Sequence, residues 1–435
     1  MSGGLRQSAS AFGSRNFRLF WSGALVSSIG TWMQNITVPY VLYQLTHQGL
    51  WVGLAVVAQI LPSVLLAPHS GSFADRLDRR RMALVAQCTQ GLLALGLWAA
   101  WEGHLRSPGL LLALVGMGGV VWMGVQPAWQ ALVTDLVPKE DLLNAITLNS
   151  AQANAARAVG PAIGGIVLGA FGPSWAFLLN AISFGGPVVA LALIRTSRAG
   201  HQAPEGRVLQ QFREAIAYSR HQRGILVAFV LTAVSGLLGY PVFQLAPLFA
   251  KRVYHVGPSL YGALTGSFGF GAILGAVALG AASARHARSR MATVATVVFS
   301  GAMIGFGLDR AFVPGLVLLG LIGAASLSVV AMVNTSIQTQ VPERLRGRVL
   351  GLWIVCYNLS YPAGALGMGA LADRIGPGPT VTIAGVGMGL AALWLLLRPD
   401  LARTLDERGA SAAPPVGADP QPSSGDGSKV GKSRT

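Results

Sequence analysis

Gly71-Ser72-Phe73-Ala74-Asp75-Arg76-Leu77-Asp78-Arg79-Arg80-Arg81-Met82 decides how this chain is read. Six of these residues are charged, and long apolar runs flank them on both sides. Hydrocarbon cannot accept that many charges on a turning backbone, so the stretch is expected to be a short hairpin on an aqueous face, joining two membrane-crossing helices.

Composition points the same way. Of 435 residues, 52% are hydrophobic and 11% charged, with a mean hydropathy of +0.54, against about 25% charged in an ordinary soluble domain. The net charge of +16 could suggest nucleic acid as a partner. The arginines instead fall in short clusters between apolar runs, without a basic stripe or aromatic platforms, and no nucleic-acid binding is expected. Cys88 and Cys356 lie in apolar runs without ligand spacing. They read as packed thiols, and neither a metal nor a cofactor is expected. The first apolar run, starting near Phe20, is too long for a signal peptide.

A helix needs about 20 apolar residues to cross the hydrocarbon core. On that ruler the chain holds twelve spans, at 18–45, 50–72, 82–102, 108–134, 146–170, 173–195, 224–250, 258–283, 291–308, 314–338, 348–372 and 378–398. The expected organisation is a cytoplasmic N-terminus (1–17), a six-helix bundle (18–195), a cytoplasmic linker (196–223), a second six-helix bundle (224–398) and a disordered cytoplasmic tail (399–435). Of the 32 Lys and Arg residues, 26 fall on the side of the termini and central linker. Five (Arg106, Lys251, Arg252, Arg310 and Arg374) fall on the other, and Arg157 lies within a span. This bias places both termini in the cytoplasm. The linker pattern, with Val208, Phe212, Ile216 and Ala217 on one helical face and Arg213, Glu214, Arg220 and Arg223 on the other, fits an amphipathic helix on the membrane surface or a solvated spacer.

The halves repeat one another. A shift of 209 residues carries Gly71 to Gly280, Arg76 to Arg285, Arg79 to Arg288 and Met82 to Met291; a shift of 204 carries Gly172-Pro173 to Gly376-Pro377. Ala284 and Ala287 stand where the first copy has Asp75 and Asp78. The fold class is therefore all-α membrane protein: two pseudo-symmetric six-helix bundles with a cavity between them.

The opening stretch resembles the loop signature Gly-x-Leu-Ala-Asp-Arg-x-Gly-Arg-Arg of the major facilitator superfamily, matched at Gly71, Ala74, Asp75, Arg76, Arg79 and Arg80, with Phe73 in place of Leu and Asp78 in place of the second Gly. Asp135-Leu-Val-Pro-Lys-Glu, Trp175-Ala-Phe-Leu-Leu-Asn and Val341-Pro-Glu-Arg-Leu-Arg-Gly-Arg-Val are similar to the branch holding enterobactin (siderophore) exporters and macrolide-efflux proteins. The resemblance implies a cytoplasmic gate of Gly71, Asp75, Arg76, Arg79, Arg80 and Asp135. In it Asp75 caps the eleventh span when the cytoplasmic ends meet, and Arg79 reaches Asp135.

Gly160-Pro161-Ala162-Ile163-Gly164-Gly165 resembles part of the fifth-helix signature of superfamily antiporters, although Ala156 and Thr147 stand where further glycines are usual. A packing kink is the alternative. Arg157, one turn earlier, is a functional candidate because a charge within a span is costly. Pairing with Asp135, Gln130 or Asn154 and contact with a substrate are both open to it. In this fold the first, fourth, seventh and tenth spans face the cavity. That makes Gln34, Asn35, Tyr40, Trp122, Gln126, Gln130, Tyr240, Gln244, Asn334 and Gln338 candidate substrate contacts, suited to a bulky amphipathic or aromatic solute.

The functional expectation is a monomeric secondary active exporter of siderophore-like or drug-like solutes in the cytoplasmic (inner) membrane. It would work by alternating access, with protons as coupling ion. An importer or facilitator, or a non-transporting sensor on the same fold, is the alternative. No phosphate-binding loop or catalytic motif points to nucleotide use or to an enzyme.

Overall fold

The computed structural model describes residues 10–74, 78–194, 208–283 and 285–407. Asp75 and Arg76 lie outside the described residues, as does Ala284; Gly71 lies within a helix. Six helices, α1 (Arg15–Thr46), α2 (Gly49–Ala74), α3 (Arg79–Glu102), α4 (Pro108–Asp135), α5 (Leu142–Ala170) and α6 (Pro173–Leu193), run back and forth to form the first bundle. After α7 (Val208–His221), the second bundle contains α8 (Arg223–Val253), α9 (Pro258–Ser283), α10 (Arg288–Leu308), α11 (Phe312–Gln340), α12 (Glu343–Ile375) and α13 (Pro377–Leu397), followed by the short α14 (Pro399–Arg403).

Eight of these helices, α3, α6 and α8 to α13, are each long and apolar enough to cross a membrane, and α4 is a ninth when its two segments are taken together. Helices α1 and α5 have ample length, 32 and 29 residues. Their polar side chains, Gln34 and Gln152 among them, turn toward neighbouring helices and lower their apolarity. Among the described residues eight helices, or nine with α4, meet that test, against the twelve spans expected from the sequence.

Local chemistry sets the ends. Asp78, at the position usually held by Gly, caps α3 by accepting from the backbone N–H groups of Arg80 (2.9 Å) and Arg81 (3.2 Å), leaving fewer orphan donors at the helix start. Gly172 and Gly376, partners in the repeat, both take positive φ (83° and 89°) just before the prolines that open α6 and α13. A side chain is strained in that conformation.

The second copy restores its missing acid from elsewhere. Asp406, just beyond the second bundle, accepts from the backbone N–H of Ser289 (2.9 Å) and from its hydroxyl (2.5 Å), at the start of α10, where Ala287 replaces the capping Asp78. This corrects the expectation of a disordered tail from residue 399. Leu405 is fully buried, and Ser336 and Gln340 donate to the Leu405 and Thr404 carbonyls. The packed turn ends at residue 407, and the rest of the tail is outside the described residues.

One further expectation shifts. Cys88 is exposed on the same stripe of α3 as Val85 and Leu92, an outward apolar face suited to lipid, so it is not a packed thiol. On α7 the buried side chains are Ala215 and Ser219, whereas Ile216 and Ala217 are exposed. Val208 and Phe212, the other apolar members of its pattern, have side chains outside the described residues, and Glu214 pairs with Arg348 of α12.

Candidate functional site

The bundles meet along two crossings. Helix α5 lies on α9, where a Cβ on Gly165 would stand 2.1 Å from the Gly262 Cα, and one on Gly269 would stand 2.6 Å from the Ala158 Cα. Helix α2 lies on α12, where a Cβ on Gly53 would come within 2.5 Å of the Ala365 carbonyl oxygen. Backbones approach this closely only where side chains are absent. Gly160 and Gly164 serve the same purpose inside the first bundle, against Trp32 and Met33 of α1. The Gly-Pro run is therefore a packing device on two sides of α5.

Near the face opposite the termini the crossings are locked by polar contacts. The Asp373 carboxylate, at the end of α12, accepts from the backbone N–H groups of Gly49 (2.6 Å) and Leu50 (2.9 Å) at the start of α2. An anion there gains from the helix dipole as well as from the two bonds. Arg252 donates to the His47 carbonyl (2.6 Å), which left-handed backbone at the end of α1 turns outward, and lies over the Tyr43 ring. Tyr261 donates to the Ile36 carbonyl (2.9 Å) and packs on Tyr40, whose ring also faces Lys251. Tyr40, expected in the cavity, is 3% exposed within this seam. Its aromatic ring fills the closed interface and presents nothing to a solute. Nearby, Tyr254 donates to Asp309 (3.0 Å); burial and that carboxylate hold its phenol above the ordinary range, so it remains the donor.

Toward the middle of the molecule the polar residues converge. Arg157 is exposed, with its guanidinium 5.3 Å from the Trp32 ring centre, and lies within electrostatic reach of Tyr357 and Tyr361 of the opposite bundle. Tyr357 stacks on Tyr361 at 5.8 Å and meets Tyr240 at 5.4 Å, and Gln244 donates to the Tyr361 hydroxyl (2.7 Å). Helix α8 loses regular α geometry here, passing through a π turn at Ser235–Gly239 and a 3₁₀ turn at Tyr240–Leu245 that contains Pro241. Such irregular backbone in a span is tolerated where it lines a cavity or lies buried in protein.

The remaining candidates divide. Gln34 accepts from Asn180, and Asn35 from Gln59, so both bridge helices of the first bundle. Trp122, Gln126 and Gln130 are exposed on α4, and Gln338 donates to Asn334 on α11. At the terminal face Arg79 stands 3.2 Å from Asp135, and Arg80 donates to the carbonyls of Leu191 (2.5 Å) and Ala192 (2.8 Å) at the end of α6. Asp135 is thus taken by Arg79, and Arg157 pairs with an aromatic ring in its place. Sequence reasoning missed Trp32, Tyr357 and Tyr361. The periodic aromatics of Tyr357 and Tyr361 were a usable signal, whereas the partner of Asp373 could not be named without knowing which helix start it faces. Among the described residues no three of His, Cys, Asp and Glu converge as a metal site requires.

The sequence pattern of the transmembrane secretion effector family matches residues 7–424. The chain belongs to that family. As a member of the major facilitator superfamily it is a multi-pass membrane transporter with a small-molecule substrate. This secretion effector family member is similar to the enterobactin exporters EntS of Citrobacter koseri (26% identical) and Escherichia coli (27%), over 388 residues covering 88% of this chain and 91% of each relative. Its fold is shared with three solved structures. A bacterial homologue of the human lysosomal transporter Spinster, inward-facing and unoccupied, has a TM-score of 0.71 and 16% identity over 92% of this chain and 99% of that one. The D-xylose-proton symporter has a TM-score of 0.70, with 13% identity over 86% and 96%. An inward-facing bacterial homologue of the iron transporter ferroportin has a TM-score of 0.69, with 17% identity over 89% and 98%.

Proposed function

We propose that this transporter exports an amphipathic, aromatic-bearing solute of siderophore-like or drug-like kind from the cytoplasm. It works as a monomer in the inner membrane, both termini cytoplasmic, by alternating access driven by protons. The observation that carries the reading is the pairing of Arg157 on Trp32 in one bundle with the Tyr240, Tyr357 and Tyr361 cluster in the other. A cation framed by rings offers charge and stacking to an anionic aromatic solute, each aromatic contact adding about 0.5–1.5 kcal/mol, and it draws on both bundles at once. The enterobactin exporters among the relatives support the substrate class, and the Lys and Arg bias supports the orientation.

The test is accumulation of labelled enterobactin in inverted membrane vesicles. Uptake abolished by an uncoupler is expected, with Arg157→Gln lowering it about tenfold, as loss of one charge-assisted contact to the solute implies. Uptake confined to right-side-out vesicles would reverse the direction, and uptake indifferent to the uncoupler would remove the proton.

A further inference from the structure

A cavity of about 410 Å³ opens where the bundles meet on the face opposite the termini. His47, Gln48 and Leu50 of the first bundle line one side, and Arg252, Asp373 and Arg374 of the second line the other. The charges of this lining do not cancel. Asp373 is its one acid among the described residues, and both carboxylate oxygens are already held by the backbone N–H groups of Gly49 and Leu50. Arg252 uses one N–H on the His47 carbonyl and also meets Tyr43, which leaves part of its five-donor fork for another acceptor. Arg374 is exposed and makes no hydrogen bond or ion pair among the described residues. Both arginines stand on the face that carries only five of the 32 Lys and Arg residues, a face where topology selects against them. Membrane orientation therefore does not account for two of the five lining one cavity.

We infer that this cavity binds a small organic anion with two carboxylate groups, taken from the water on the side opposite the termini. Each guanidinium offers a planar set of donors that matches a carboxylate, and the Gln48 amide supplies a donor from the first bundle. The space is far larger than the share of one water, about 30 Å³, so it accommodates a body joining two carboxylates where a bare inorganic ion would leave it mostly unfilled. Because both bundles supply the walls, the bound dianion favours the arrangement in which this face is closed. That consequence rests on the alternating-access reading; the binding itself does not.

The probe is isophthalate, titrated calorimetrically into the full-length protein in nanodiscs at constant ionic strength. Saturable binding of one isophthalate is expected, with benzoate, which has a single carboxylate, about tenfold weaker, as loss of one charge-assisted contact implies. Arg374→Gln should weaken isophthalate by the same factor, and Arg374→Lys should recover part of it. Ala370→Phe, which fills the cavity, should abolish binding. Spin-label pairs across this face should move toward the short distance when isophthalate saturates the unaltered protein. Without isophthalate, Arg374→Gln should give the unaltered distribution, since Arg374 holds no part of the seam. Isophthalate binding that is absent, that benzoate equals, or that survives Arg374→Gln undiminished would overturn the site. Binding that leaves the distances unchanged would overturn its hold on the seam. Export itself is read by the vesicle assay, so a failure there is distinguishable from a failure here.

Discussion

A single carboxylate holds much of the seam far from the termini. Asp373 takes two backbone donors of α2 that would otherwise lack partners, and it does so only while α2 and α12 are together. Asp373→Ala is expected to disfavour this closed seam by about 0.5–2 kcal/mol, the usual worth of an acidic cap. Distances between spin labels across that face would lengthen in a larger fraction of molecules; an unchanged distribution would contradict the cap's role. The contrast with Asp78 shows what sequence can and cannot say at this scale. Asp78 caps the helix that directly follows it, a relation of two or three residues that a local pattern contains. Asp373 caps a helix more than three hundred residues away, and nothing near it in the chain says so. Arg79 and Asp135 lie between these cases: they are distant, yet the recurring family loop gives the pair its meaning.

At the scale of elements, the crossing of α5 on α9 depends on facing glycines. A side chain on Gly262 would collide with the backbone of Gly165, which cannot yield as a flexible side-chain end could. Gly262→Leu is expected to cost about 1–3 kcal/mol in the present arrangement and to lower transport without abolishing membrane insertion. Label distances and expression level measured on the same variant would check both halves of that statement. Most helices were legible because their ends carry Pro, Gly or charge and their lengths fit a bilayer. The exceptions have physical causes. Helices α1 and α5 carry polar side chains that are satisfied by neighbouring helices, which averages down their apolarity. On α7, Ala215 and Ser219 are buried beside the Glu214–Arg348 pair while Ile216 faces outward. Tyr40 sits on the expected helix, but its depth places it in the closed seam and not among the cavity residues.

For the molecule as a whole, the asymmetry of basic residues and the alternation of the helices require that Arg81 and Arg310 emerge on opposite sides of the membrane. In a background lacking Cys88 and Cys356, a membrane-impermeant maleimide added to intact cells should label Arg310→Cys and spare Arg81→Cys; labelling of both would refute the topology. The two bundles were visible as a duplication because spacing between turns is preserved even where residues are not. Hidden from that comparison was how far the copies have diverged in what completes them. The first bundle finishes its third helix with an acid from its own turn, the second with an acid from beyond its last span.

That borrowed acid imposes an order on biosynthesis. The opening of α10 waits, partly unsatisfied, while more than a hundred further residues are threaded into the bilayer, and it is completed only when the stretch around Asp406 clears the ribosome. The carboxyl-terminal half of this transporter is thus sealed only after its last span has left the ribosome.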